Sequence, residues 1–346
     1  MGTISQLFGI ELPIIQAPMA GVQLGALAAA VSEAGALGSL PCAMLTPETM
    51  RKELELVTAR TRKPYNVNFF CHTPPRVDEP AQARWRAALA PYYRELGIDP
   101  AGIVVGPGRA PFSEESAAVL ESFRPPVVSF HFGLPEKALL ERVKGWGAKV
   151  ISSATTVEEA VWLEQHGVDA VIAQGVEAGG HRGMFLTKDL TTQVGTLALV
   201  PQVVRAVRVP VIASGGIADA DGVAAAMALG AAGVQLGTAF LLAEEATTTA
   251  LHRAALKAEG ARHTVLTHLF TGRPARGIVN RVIRELGALN EAAPEFPLAT
   301  SAIAPLRAKA EAQGSTDFTP LWSGQNPTGA REAPAAEIVH ALAARL

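Results

Sequence analysis

Short apolar runs that alternate with helical periodicity set the strongest limit on what this chain can fold into. The runs are Leu12–Met19, Ala36–Leu40, Tyr65–Phe70, Val127–Phe132, Lys149–Ser153, Ala170–Gln174, Val209–Ser214 and Gly233–Leu236. Most are continuously apolar instead of alternating, the pattern of strands buried on both faces. Helical spacing fills the gaps at Gly25–Glu33, Pro47–Thr58, Glu136–Lys144, Val157–His166, Val194–Val207 and Asp221–Leu229, with punctuation such as Thr156 ahead of Val157 and Gly167 behind His166. This alternation predicts a parallel sheet with crossover helices. Eight such strands predict an α/β fold, a (β/α)8 TIM barrel; a doubly wound open sheet is the competing arrangement.

The barrel is expected over residues 1–243. The segment from His72 to Pro126 is too long for one connection. Its Pro-rich ends (Pro74-Pro75, Pro107, Pro111, Pro125-Pro126) enclose amphipathic stretches around Ala83–Leu96 and Ser116–Ser122, which predicts a helical excursion at 72–126. Near Ala243 the strand-helix rhythm stops. Residues 244–332 hold a helical pattern at Thr247–Ala258, a mixed basic segment, and Pro294, Pro297 and Pro305. They are expected to form a smaller, mainly helical cap or substrate region over the barrel mouth. Residues 333–346 predict an amphipathic helix that returns to the barrel.

With 49% hydrophobic and 18% charged residues among 346, the chain can bury a sizeable core, which argues against global disorder. A net charge of −2 leaves no strongly basic face for nucleic acid. No apolar run reaches the roughly 18 residues of a membrane span. Met1-Gly2-Thr3-Ile4-Ser5-Gln6 lacks the basic and apolar regions of a signal peptide. Cys42 and Cys71 form no disulfide framework, and no His, Cys, Asp or Glu set has metal-ligand spacing. A reducing cytoplasm is the expected compartment.

Functional residues of such a barrel sit at the C-terminal ends of strands and in the loops that follow. Directly after the run ending at Gln174 comes Gly175-Val176-Glu177-Ala178-Gly179-Gly180-His181-Arg182-Gly183. Its glycines allow close backbone approach to a ligand, and His181 can carry a proton or a charge near neutral pH. Ser214-Gly215-Gly216-Ile217 and Gln235-Leu236-Gly237-Thr238 follow the next two runs, where barrels commonly hold a phosphate. Small residues and a proline in Gln16-Ala17-Pro18-Met19-Ala20-Gly21 would let a flat ring lie on the backbone. Asn68, among apolar neighbours, needs a partner if buried, and so does Gln174. His131 lies at the end of the fourth run and His72 follows the third, and both are candidate substrate contacts. His166, His252, His263, His268 and His340 read as structural or solvated. There is no Gly-x-Ser-x-Gly elbow, Walker loop or dinucleotide fingerprint after the first run. One phosphate and a broad ring, as in FMN, suit these pieces better than a dinucleotide.

In this order the pieces resemble the nitronate monooxygenase family, formerly the 2-nitropropane dioxygenases. The resemblance spans Gln16–Gly21, Asn66–Phe70, Ser129–Gly133, Ala173–Gly183, Ala213–Ile217 and Gln235–Thr238. It continues through Phe270-Thr271-Gly272-Arg273-Pro274-Ala275-Arg276-Gly277 and Leu321-Trp322-Ser323-Gly324-Gln325. It implies an FMN-binding barrel with Asn68, Gln174, Gly179, Gly216, Gln235, Leu236, Gly237 and Thr238 around the cofactor, Pro18, Met19 and Ala20 against its ring, and His181 as the catalytic residue. Gly180, Ser214 and Gly215 join the expected cofactor contacts by their place in the two glycine loops. The implied reaction oxidises a nitronate with O2 to a carbonyl compound and nitrite. His181 would act either as a base toward the proton α to a nitro group or, protonated, as a holder of the nitronate anion. Arg273 and Arg276 read as solvated arginines, with anion contact as the other reading. The competing activity is an NAD(P)H-dependent FMN reductase of quinone or enoyl reductase type; a flavin-free barrel acting on a phosphorylated metabolite is a further alternative.

Overall fold

The structure is a computed structural model that describes residues 4–103 and 109–346; Met1–Thr3 and Pro107 lie outside them. Eight parallel strands form the centre: β1 (Ile14–Gln16), β2 (Gly38–Pro41), β3 (Tyr65–Phe70), β4 (Val127–His131), β5 (Lys149–Ala154), β6 (Ala170–Gln174), β7 (Val211–Ser214) and β8 (Gly233–Leu236). Each pairs in parallel with its neighbour in sequence, and β1 pairs with β8 through Ile14↔Val234 and Gln16↔Leu236. A bridge between Ile15 and Leu37 joins β1 to β2 and closes the ring, so the arrangement is a TIM barrel and not an open sheet. Nearly every strand residue is buried, as continuous apolar runs require when helices cover the outside and side chains fill the inside.

Local chemistry accounts for the helix boundaries. Thr46 accepts from the Thr49 N–H ahead of Pro47–Arg60, with Pro47 in the first turn. Thr156 accepts from Glu159 N–H ahead of Val157–Gln165, and Gly167, at φ +88°, closes that helix. The short helix Ile4–Phe8 plugs the bottom of the barrel, where Ile4, Phe8 and Ile10 share a core with Ile15, Leu37, Ile151 and Ile212. With the floor sealed by apolar packing, open space is left at the C-terminal ends of the strands.

The helices between β3 and β4 part company. Glu114–Phe123 packs between Pro47–Arg60 and Lys137–Gly145, so it is the ring's own crossover helix and not part of an excursion. Only Glu79–Leu96 leaves the barrel, and it packs on Ala299–Ala312. Trp85 Nε1 donates to the Ala299 carbonyl (3.1 Å) and Tyr93 to that of Ala302 (2.6 Å). These residues share a second core with Leu269, Phe270, Ile303 and Phe318. The accessory region is also less helical than its composition suggests. Thr264–Thr267 and Ala275–Ile278 form an antiparallel pair, and Gly180–His181 adds as a third strand through Ala275↔His181. The last helix, Ala335–Leu342, packs against Gly25–Glu33 and takes the eighth helix position of the ring.

Among the described residues no helix is long and apolar enough to cross a membrane, and no group of three or more His, Cys, Asp or Glu is placed to hold a metal ion.

Candidate active site

A cleft of about 1300 Å³, counting the solvent space at its mouth, opens between the strand ends and the accessory region. Strand ends supply its floor because parallel strands all point their C-termini the same way. From β1 come Pro18, Met19 and Ala20, and from β3 and β6 come Asn68 and Gln174. The loop after β6 adds Gly179, Gly180 and His181. The loops after β7 and β8 add Ser214, Gly215, Gly216, Gln235, Leu236, Gly237 and Thr238. His131 lines the same space. His72 does not: it lies behind the wall, with Nε2 on the Arg109 carbonyl (3.0 Å) and its ring edge-on to Phe296.

His181 is held from both sides. Its carbonyl accepts from Gln174 Nε2 and from His131 Nε2, each at 3.1 Å. Its ring nitrogen Nε2 lies 2.9 Å from the Thr271 hydroxyl. Phe296, Trp322, Phe132 and Phe70 surround the ring at centroid distances of 5.5–6.1 Å. Burial pushes the His181 pKa well below the usual imidazole value, and Arg109, His131, Arg273 and His72 push it further the same way. The imidazole is therefore neutral at pH 7, in a pocket whose charged neighbours are cationic.

The remaining polar side chains sort into scaffold and free groups. Gln174 uses both ends of its amide on the loop, since Oε1 accepts from Gly183 N–H at 2.8 Å. His131 has no free ring nitrogen: Nδ1 faces Ser153 Oγ at 3.1 Å while Nε2 donates to the carbonyl. Burial lowers its pKa to about 3. Asn68 donates to Ser129 Oγ at 2.9 Å and to its carbonyl at 3.2 Å. Arg182 is fully buried and spends its guanidinium on Gln193 Oε1 and the carbonyls of Gly175 and Gln174. Arg276, 6% exposed, bonds the Val176 carbonyl and Thr264, so it is a staple and not a solvated arginine. Arg273 also faces inward, lying 3.8 Å from the Phe132 ring centroid and donating to the Met184 carbonyl. Arg109 differs. Among the described residues it has no ion pair; Nη1 meets Thr300 Oγ1 at 3.4 Å and the guanidinium lies 5.8 Å from the Phe296 ring. It lines the cleft.

The phosphate-sized end is built from backbone. Gly215 and Gly216 sit at φ +118° and +71°, which L side chains rarely adopt. Beside them the one-turn helix Thr238–Phe240 starts at Gly237 with no side-chain cap. By contrast, the longer helix Ala220–Ala228 after the Gly-Gly turn is already capped by Asp219, so its N-terminus is taken. Gly179 lies so close to the 323–324 backbone that a Cβ there would fall 2.6 Å from Gly324 N. That strap closes over the end, with Gly324 N–H donating to Thr238 Oγ1 (2.9 Å) and Asn326 Nδ2 to the Gly216 carbonyl (3.2 Å). Gln235 Oε1, buried at the cleft, has no hydrogen-bond partner among the described residues.

Sequence reasoning passed over Arg109, Thr271, Phe296 and His252. His252, expected to be structural or solvated, is a cleft-lining residue whose Nε2 donates to the Trp322 carbonyl. Only Thr271 had any signal, lying inside the 270–277 motif; Arg109 and Phe296 had none, because nothing local ties them to His181.

A family model described as nitronate monooxygenase matches residues 2–345. A nitronate monooxygenase of Pseudomonas aeruginosa is 42% identical, with 99% of this chain and 98% of that protein covered. A probable nitronate monooxygenase of Staphylococcus saprophyticus is 38% identical, covering 94% and 91%. Among solved structures, nitroalkane oxidase from Streptomyces ansochromogenes superposes with a TM-score of 0.89 at 40% identity, covering 99% and 97%. FabK from Thermotoga maritima is more distant, at 0.74 and 29%, covering 99% and 95%.

Proposed function

The chain belongs to the nitronate monooxygenase family of oxidoreductases, and from that premise we propose that it oxidises alkyl nitronates with O2 to carbonyl compounds and nitrite, using FMN as its cofactor. The observation that carries this reading is the setting of His181: a buried neutral imidazole near Arg109, which has no ion pair among the described residues, with no carboxylate among the groups that shift it. Such a pocket favours a small anion over a cation or a neutral metabolite.

The residues present fit FMN. Backbone N–H groups at Gly215, Gly216, Gly237 and Thr238 would hold its phosphate, and Pro18, Met19 and Ala20 would lie against its ring. Gln235 Oε1, lacking a donor, would take an N–H or O–H of the cofactor. Asn68 and Gln174, although committed to the scaffold, line the same space. The flavin supplies the electron acceptor and the reaction with O2.

The protein's own part is orientation and charge. Arg109 attracts the nitronate oxygens toward the cleft. The entering substrate anion offsets the field of the arginines and raises the imidazole's proton affinity, so His181 takes a proton from solvent at its free nitrogen as the nitronate binds and then holds the anion as an imidazolium. The aromatic wall of Phe70, Phe132, Phe296 and Trp322 keeps water away and strengthens both interactions.

Oxygen consumption with a panel of nitronates, and separately with NADH or NADPH, tests the reading on wild type and His181→Asn. Turnover with nitronates that falls at least ~100-fold in the variant is expected. Anaerobic bleaching of the flavin by NADH but not by a nitronate would replace this activity with a reductase. No yellow chromophore, even after FMN is added, would remove the cofactor.

A further inference from the structure

The contact between His181 and Thr271 constrains where the imidazole keeps its proton. Thr271 is buried, and its hydroxyl has one hydrogen to give. Two acceptors are in reach: His181 Nε2 at 2.9 Å and the Arg273 carbonyl at 3.4 Å. The carbonyl can only accept. If the hydroxyl donates to it, the same oxygen is free to accept from Nε2–H, and two hydrogen bonds form. If the hydroxyl donates to Nε2 instead, the bond to Arg273 is lost and only one remains. The two-bond arrangement is favoured, because buried groups left unpaired are penalised.

We propose that Thr271 is a positioning residue that selects the Nε2–H tautomer of His181, leaving Nδ1 as the unprotonated atom presented to the cleft. His181 lines the cleft, and its Nδ1 makes no hydrogen bond to the described residues. The neighbouring phenyl rings of Phe296, Phe132 and Phe70 offer it no donor or acceptor, and no hydrogen bond joins it to the Trp322 indole N–H. Neither side of the contact is free to move. The His181 carbonyl is pinned by Gln174 and His131. Thr271 sits in a tight turn, with its own N–H and that of Gly272 both on the His268 carbonyl at 3.3 and 2.7 Å. A Cβ on Gly272 would fall 2.2 Å from the Pro294 carbonyl oxygen, so the turn cannot shift toward that strand of chain. His131 is the contrast within the same site: both of its nitrogens are spent on protein.

The catalytic consequence rests on the reading of His181 as the group that exchanges a proton with substrate, whereas the tautomer does not. Histidine-labelled ¹⁵N protein, as purified, reports it directly through two-bond ¹H–¹⁵N correlations at pH 7, with His181 assigned by its loss in His181→Asn. The expected pattern is a protonated Nε2 and an unprotonated Nδ1 in wild type and in Thr271→Ser. In Thr271→Val, which can neither give nor take the bond, the population shifts toward Nδ1–H. Nitronate kcat/KM then falls on the order of tenfold in Thr271→Val and returns to within about twofold of wild type in Thr271→Ser. A wild-type spectrum with Nδ1 protonated overturns the proposal, as does a Thr271→Val spectrum identical to wild type. Should Thr271→Val fail to fold, the wild-type and Thr271→Ser spectra decide alone. A wild type with the stated tautomer but no nitronate turnover would sink the function and leave the tautomer standing.

Discussion

The ring of His131 donates its Nε2–H to the main-chain carbonyl of His181 across 3.1 Å, so one histidine holds the backbone of the other. Its other nitrogen faces the Ser153 hydroxyl, and burial lowers its pKa to about 3. His131 is therefore scaffold in a position where sequence reasoning expects a substrate contact. Replacing it with Phe should lower kcat by roughly ten- to a hundredfold through misplacement of His181. The acidic limb of the pH–rate profile should stay where it is, and a displaced limb would mean that His131 titrates in the reaction.

Arg109 should set nitronate affinity. Arg109→Met removes a charge-assisted contact without touching the strand ends, and the expected result is a KM raised ~10–100-fold with a smaller change in kcat. The visible spectrum of the bound flavin should be unaltered. An unchanged KM would show that the guanidinium serves packing against Phe296 alone.

Gly179, in the loop after β6, has backbone where a side chain would begin. Gly179→Ala would push a methyl to within 2.6 Å of the Gly324 nitrogen and the Ser323 carbonyl carbon, both of them backbone. Overpacking of this kind costs about 1–3 kcal/mol, and it would also lift the 323–326 strap from Thr238. Flavin retention after gel filtration and the melting temperature should both fall. Gly145→Ala, at a helix end with nothing within 4 Å of the new methyl, is the control and should leave both within error.

Stability should fall on mild acidification. Burial pushes the pKa of His72 and His252 down to about 4 and that of His131 to about 3, from an ordinary value of 6.5. Above pH 6.5 these imidazoles are neutral in both folded and unfolded chains. Below it the unfolded chain takes up protons that the folded protein refuses, so stability is lost progressively from pH 6.5 down to about 4. The melting temperature should drop by roughly 5 °C or more between pH 7 and pH 5. A flat profile over that range would mean that the three rings reach solvent.

Much of the fold was legible because its signals are local. Strands β3 and β6 match the runs Tyr65–Phe70 and Ala170–Gln174, since being buried on both faces demands an unbroken apolar run. Caps at Thr46 and Thr156 depend on residues three places away. The assignment of Glu79–Leu96 was less accessible. Its amphipathic pattern reveals a helix, but the partner of its apolar face, Ala299–Ala312, lies more than two hundred residues on. For the same reason the pairing of Gly180–His181 with Ala275–Arg276 gave no periodic trace: a two-residue strand is too short to carry one.

The sequence by itself determined where the reacting groups must gather. Eight buried parallel strands end together, and the glycine-rich loops that follow β6, β7 and β8 can only meet at that end. What tertiary structure alone decided is the chemical state of those groups. His181 is neutral because burial and the arginines at 109 and 273 surround it. Its proton is directed by a hydroxyl ninety positions away. Protonation and tautomer depend on dielectric, distance and hydrogen-bond direction between segments remote in the chain, and none of these is a property of residue order.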